Sequence, residues 1–227
     1  MSDRRLLLFG ASGRTGRHLA SAALSAGWTV TAALRDPERR HLLPAEVGVV
    51  DCDVLSRDAV ARAVAHVRPD AVVSTLGGRG DLSVDDVGIG HLVEACVVAD
   101  RRRLVVVTSL GCGGSSAHAS PRLLAAIGEV LTAKTRGESH VVASDLDWTI
   151  VRPGGLLDEA ATGKAVLVED EAAHGRIACA DLARLLLDLV DERSSIRRVL
   201  SAIDPSLAAA TRPDVSPPSA HTRGDAP

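Results

Sequence analysis

Three glycines, Gly10, Gly13 and Gly16, stand between the apolar run Leu6-Leu7-Leu8-Phe9 and a segment in which Leu19, Ala22, Ala23 and Ala26 recur at helical spacing. No other feature restricts the fold of this chain as much. A short continuous apolar run suits a strand buried on both faces of a parallel sheet, and the change of period places the glycines in a strand-to-helix turn. Each glycine then has a physical task. Gly10 permits the tight turn, Gly13 lets a phosphate approach the backbone, and Gly16 lets the helix pack close on the strand. Exposed N–H groups and the positive end of the helix suit a pyrophosphate. With Ser12, Arg14 and Thr15 in the same loop, residues 10–16 form the expected cradle of a dinucleotide.

Downstream, apolar runs alternate with helical patterns. Strands are expected at Trp28–Leu34, Val47–Val50, Asp70–Leu76, Leu104–Ser109 and Asp147–Val151, with smaller ones at Val166–Val168 and Arg198–Ile203. Between them the spacing predicts helices over Asp58–Val67 and from the capping box Ser83-Val-Asp-Asp86 to about Asp100, one or two helices from the N-cap pair Ser120-Pro121 towards Ser144, and a helix over Asp181–Val190 with Asp181 as N-cap. Repeated β-α units with right-handed crossovers give a doubly wound parallel α/β sheet, the Rossmann architecture, in one domain over residues 1–203. From Asp204 the chain turns Ala-, Pro- and Ser-rich without periodicity, so residues 204–227 are expected as a disordered tail.

Composition narrows the setting. With only Phe9, Trp28 and Trp148 as aromatics and no tyrosine, the core has to be built from Leu, Val, Ile and Ala. The four cysteines, Cys52, Cys96, Cys112 and Cys179, lack Cys-x-x-Cys spacing, which argues against a disulfide framework and against a metal site. The first apolar run is too short for a signal peptide and no stretch approaches a transmembrane span, so a cytoplasmic protein is expected. A net charge of −3 offers no general attraction for nucleic acid, and Arg39-Arg40 and Arg101-Arg102-Arg103 are expected as solvated turns. The oligomeric state is left open.

In such a sheet ligands sit at the carboxyl ends of the strands. Arg35 ends the second strand, where an arginine pairs with the 2′-phosphate of NADP(H); the other reading is a surface pair with Asp36. Asp53 is placed to bond an adenine amino group above Val54, or else to cap a helix. Leu76, Gly77 and Gly78 let the chain pass close to a cofactor, or form a simple turn. Ser109 to Gly113 and Pro153 to Leu156 close the set.

Gly10-Ala-Ser-Gly-Arg-Thr-Gly16, Arg35-Asp36, Asp51-Cys-Asp-Val54, Val106-Val-Thr-Ser109 and Leu146-Asp-Trp-Thr-Ile-Val-Arg-Pro-Gly-Gly155 together resemble the atypical short-chain dehydrogenase/reductases of the NAD(P)H-binding, NmrA-like group. Residues 77–83 and Thr108-Ser109 resemble its flavin reductase and biliverdin reductase B branch. The resemblance covers about residues 4–203. It implies NADP(H) across the strand ends, with Thr108 and Pro153 among the cofactor contacts, and a substrate pocket built after the fifth strand and by the C-terminal third.

The departure from the larger family carries chemistry. Where most short-chain dehydrogenases hold a Tyr-x-x-x-Lys pair, this chain has Val130 and Lys134, and valine transfers no proton. Lys134 is read either as a ribose ligand or as an i, i+4 surface partner of Glu138. Ser109 keeps the place of the serine that bonds a substrate carbonyl. Cys112, as pocket wall or reactive thiol, and His118 and His140 are the substitute proton donors, each with a bland structural alternative. A lone serine is a poor acid, so the favoured acceptors are electron-poor small molecules such as flavins, quinones or conjugated enones, protonated from water. A redox-neutral isomerase, epimerase or cyclase, and a dinucleotide-binding redox sensor, are the other classes.

Overall fold

The computed structural model describes residues 4–77 and 80–207. Its ten strands are β1 (Arg5–Phe9), β2 (Thr29–Leu34), β3 (Gly48–Asp51), β4 (Ala71–Ser74), β5 (Arg103–Val107), β6 (Asp147–Pro153), β7 (Gly155–Leu157), β8 (Val166–Val168), β9 (Arg176–Ala178) and β10 (Arg198–Ile203). The helices are α1 (Arg14–Ser25), α2 (Arg57–Val67), α3 (Val87–Val98), α4 (Pro121–Val142) and α5 (Cys179–Asp191). Eight strands form one sheet in the order β3-β2-β1-β4-β5-β6-β10-β8, parallel except for the edge pair of β8 with β10. The strand order reverses between β1 and β4, which opens the crevice where doubly wound folds bind ligands.

Alternation along β1 shows why its four apolar residues carry no polar interruption. Leu6 and Leu8 pack in the layer under α1 and α5, while Leu7 and Phe9 pack in the opposite layer with α2 and α3. Each fully buried side chain of this kind contributes about 1.5–3 kcal/mol. Leu, Val, Ile and Ala do fill both layers, and the chain's single phenylalanine is 1 % exposed.

Several local expectations are corrected. The predicted capping box does not cap α3: Asp81 instead accepts from Ser83 N at the start of a short 3-10 turn, and Asp86 occupies the α3 N-cap position without a side-chain cap. Asp181 sits inside the first turn of α5 rather than at its N-cap. Buried there, it accepts from Thr162 N at 2.7 Å and Gly163 N at 3.0 Å, tying a distant loop to the helix. Arg103 is no solvated turn residue either. Its guanidinium bonds Asp147 O, Thr149 Oγ1, Val190 O, Leu189 O and Ser195 Oγ. Burial lowers its pKa to about 10, with Asp147 and Asp191 opposing. The small sheet of β7 and β9 was not expected, because three-residue strands leave no periodic signal.

Ser120 does cap α4, accepting from Leu123 N at 3.2 Å, with Pro121 at the first helical position. The helix is interrupted at Ile127, whose φ of −142° and ψ of 21° lie outside helical values. At the C-terminus Asp204 is buried and bonds Ser206 and Thr162, and residues 205–207 form a 3-10 turn. The remainder of the expected tail lies outside the described residues.

Candidate dinucleotide and substrate site

The glycine loop has the geometry that its sequence calls for. Gly10 has a φ of +77°, and a Cβ there would lie 2.7 Å from the Thr75 carbonyl carbon. Gly16 presses α1 onto the turn: a Cβ would strike Gly10 O and stand 2.7 Å from Ala11 Cα. Gly13 is extended, with φ −75°, and occupies the N-cap position of α1 without a side-chain cap; the first turn carries no acidic residue. The start of α1 therefore keeps its positive end uncompensated and open at a glycine, as an anionic diphosphate requires. Thr75, after β4, donates its hydroxyl to Phe9 O and Gly10 O, both at 3.2 Å, and so ties the loop across the crevice. Thr15 is buried beneath it.

Around the ends of β2 and β3 the side chains sort differently from their sequence neighbours. Arg35 is exposed just beyond β2, whereas Asp36 turns its carboxylate to Glu38 N and caps the 3-10 turn Pro37–Leu42. Arg39 is exposed in that turn, as expected, and its Nη1 lies 3.5 Å from Ser12 Oγ in the glycine loop. Arg40 instead braces the following loop through Pro44 O and Ala45 O. Asp53 accepts from Leu55 N at 3.0 Å, and Ser56 is the cap of α2. Val54 is buried, held against α3 where Gly88 leaves it room, and its carbonyl lies 3.0 Å from His91 Nδ1.

The other half of the crevice is fastened by α4. Lys134 Nζ donates to Asp85 Oδ1 at 2.7 Å and to Leu76 O at 3.3 Å, with the two side chains 11 % and 2 % exposed. It is thus neither a surface residue nor the partner of Glu138. Lys134 locks the stretch after β4 onto α4, and Gly137 lets the helix approach Asp85 O so closely that a Cβ would clash. Gly77 is open to space on its Cα side; Gly78 lies outside the described residues. Val130 is half-buried one turn before Lys134.

Past β5, Thr108 is buried and donates to Glu138 Oε1 at 2.7 Å, while the half-buried Ser109 donates to Leu110 O at 3.0 Å. The loop then crosses to β6 through Leu110 N and Pro153 O. Cys112 is fully buried, its thiol near Leu131 O, and burial followed by the charge of Glu138 pushes its pKa up to about 11. A thiol so buried, with its pKa raised, is a weak nucleophile. His118 is exposed at the end of the 3-10 turn Gly113–His118. His140 is exposed and pairs with Asp86 at 3.0 Å.

Sequence spacing offers Glu138 only as a partner of Lys134 and does not pair it with Arg152. Glu138 and Arg152 are both buried, and they form a bidentate pair, Nε to Oε1 at 3.0 Å and Nη2 to Oε2 at 2.7 Å. The pair fills the space under the ends of β5 and β6. Among the described residues no group of three or more potential metal ligands gathers, and no helix is long and apolar enough to cross a membrane.

The chain resembles proteins of known structure over nearly all of its length. ChuY, an anaerobillin reductase from Escherichia coli O157:H7, superposes with a TM-score of 0.83 at 34 % identity, covering 91 % of this chain and 100 % of that one. An uncharacterized sugar epimerase from Bacillus subtilis, YhfK, is 28 % identical over 201 residues, covering 86 % of this chain and 91 % of the relative. An uncharacterized chloroplastic protein of Arabidopsis thaliana is also 28 % identical, over 214 residues, covering 88 % of this chain and 76 % of the relative. The model of the NAD(P)H-binding family matches residues 10–193, from the first glycine of the loop to the end of α5 and just beyond. Over that span the chain belongs to the NAD(P)H-binding family.

Proposed function

We propose that the protein is an NADPH-dependent oxidoreductase that reduces a small conjugated acceptor of flavin, quinone or enone type without a catalytic tyrosine. The observation that carries this reading is the state of Lys134. In the Tyr-x-x-x-Lys arrangement the lysine lowers the pKa of a phenol; here valine replaces the tyrosine and a buried carboxylate, Asp85, holds the lysine. Thr108 and Cys112 are buried and committed to protein partners. The site is therefore furnished to bind and orient, and poorly furnished to donate a proton. When bound, NADPH would supply a hydride from nicotinamide C4, and the acceptor would gain that hydride together with a proton from water. Electron-poor acceptors need no stronger acid, and positioning supplies the acceleration. The reductase named among the similar structures supports this class.

The preference for NADPH rests on charge. Arg35 is exposed beyond β2, Arg14 belongs to the loop, and Arg39 reaches Ser12, and these three arginines are the ones that would meet a 2′-phosphate. Gly10, Ser12, Gly13, Arg14, Thr15 and Gly16 would hold the diphosphate, Asp53 and Val54 the adenine, and Leu76, Gly77, Thr108, Ser109, Lys134 and Pro153 line the half that receives the nicotinamide. A cytosolic setting belongs to the same proposal.

Loss of NADPH absorbance with flavins, quinones and enones as acceptors, together with calorimetric titration of NADPH and NADH, tests the reading. Turnover with tighter NADPH binding is expected. Tight NADPH binding with no turnover of any acceptor would transfer the assignment to a redox-neutral isomerase, the class that the epimerase name of the Bacillus relative suggests, or to a sensor.

A further inference from the structure

Glu138 follows Lys134 by one turn of α4, is 4 % exposed, and spends both carboxylate oxygens on residues at the ends of two strands. Oε1 accepts from Thr108 Oγ1, immediately beyond β5, and from Arg152 Nε, near the end of β6; Oε2 accepts from Arg152 Nη2. The next loop is drawn into the same arrangement. Gly113 N donates to Thr135 Oγ1 at 3.0 Å, and a Cβ on Gly113 would strike Arg152 Nη2 and lie 2.8 Å from Glu138 Oε2. One helix face thus holds the end of β5, the end of β6 and the loop that leaves Ser109.

We infer that Glu138, together with Arg152, is a positioning residue for the nicotinamide half of the site. The inference rests on the reading of this crevice as a nicotinamide-dependent reductase. Stability alone is a weak reason for such a pair, since buried ion pairs replaced by apolar groups of similar volume often cost nothing. What apolar packing lacks is direction. Three charge-assisted bonds of fixed geometry set the separation of the β5 and β6 ends, whereas apolar contacts are non-directional and leave it free to adjust. In a site that works by alignment rather than by acid catalysis, that separation decides where Ser109 and the loop 110–114 stand. Burial disfavours the Arg152 charge, but the hydrogen bonds and charge of Glu138 oppose it and the pKa of Arg152 is raised on balance.

The double variant Glu138→Leu/Arg152→Met removes direction and keeps volume. It is expected to fold, to unfold somewhat below the wild-type temperature because the buried Thr108 hydroxyl loses its acceptor, and to bind 2′,5′-ADP, which lacks the nicotinamide half, as the wild type does. The extra affinity of NADPH over 2′,5′-ADP is expected to fall about tenfold, and kcat on the order of a hundredfold with little change in the KM of the acceptor, the scale of a misplaced reacting pair. If the double variant keeps both that extra affinity and its turnover, the pair is only structural and the inference fails. It fails equally if wild-type NADPH binds no more tightly than 2′,5′-ADP. Absence of wild-type turnover would speak against the reductase reading alone, because the affinity difference still judges the positioning. Should the double variant not fold, Glu138→Gln, which keeps the shape but turns an amide N–H2 towards Arg152, is judged by the same two affinities.

Discussion

The two halves of the crevice are built on different principles. Around α1 the site is made of backbone: a positive φ at Gly10, a close approach at Gly16 and an uncapped helix start at Gly13, all within seven consecutive residues. Around α4 it is made of side chains that meet across the fold, Lys134 with Asp85 at a separation of 49 residues and Thr108 with Glu138 at 30. A backbone cradle recognises a group that is the same in every dinucleotide. A side-chain clamp sets a geometry that each chemistry needs to adjust. The difference explains how one fold keeps its cofactor while its reactions diverge.

The strongest way to break this contrast is to break the clamp. Lys134→Met removes the cationic partner of the buried Asp85 carboxylate and is expected to cost about 3–5 kcal/mol, read from urea unfolding, with the further replacement Asp85→Leu recovering part of the loss. If the single substitution is nearly neutral, the second half is not held by this pair. On the backbone side, Gly16→Ala forces a methyl against Gly10 O and Ala11 Cα and is expected to cost about 1–3 kcal/mol and to abolish nucleotide binding by calorimetry. Full binding by that variant would show a looser cradle than the structure has.

A smaller and more selective effect sharpens the edge between the halves. Arg39→Ala is expected to weaken NADPH roughly tenfold, the scale of one charge-assisted bond, and to leave NADH unchanged. An equal loss for both cofactors would move Arg39 from the 2′-phosphate to the loop itself. The mildest effect concerns the thiols. Desolvation by burial raises Cys112 and Cys52 to about 11 and Cys96 to about 12, from an ordinary value of 9.0. A raised folded pKa means that this contribution is fully present below about pH 9 and is lost as the pH climbs through 11–12. The native protein is therefore expected to resist alkylation at pH 8 and to lose stability gradually in strong alkali; rapid labelling of Cys112 at pH 8 would reopen its role as a reactive group.

This division also governs how far the sequence speaks for the structure. The glycine loop, the order of β-α units and the cap at Ser120 are local, so spacing alone reveals them. Lys134 is visible as one turn from Val130, but its partner is not. Spacing offers Glu138, four residues on, and the fold turns both side chains inward to different charges, because burial makes a bidentate arginine and a nearby carboxylate better partners than each other. The same holds for Arg103, whose five acceptors come from β6, α5 and the turn after it. Short strands such as β7 and β9 escape because three residues are too few to show a period.

The interruption of α4 at Ile127 bears on how such a protein can change. In an unbroken helix one inserted residue turns everything beyond it by about 100°, which would swing Lys134 and Glu138 away from their strands. Ile127 ends that mechanical continuity: the segment before it borders the loop that follows Ser109, and the segment after it carries the clamp. A substitution or a change of length before Ile127 can thus reshape the border of that loop while Lys134 and Glu138 keep their register on Asp85 and Arg152.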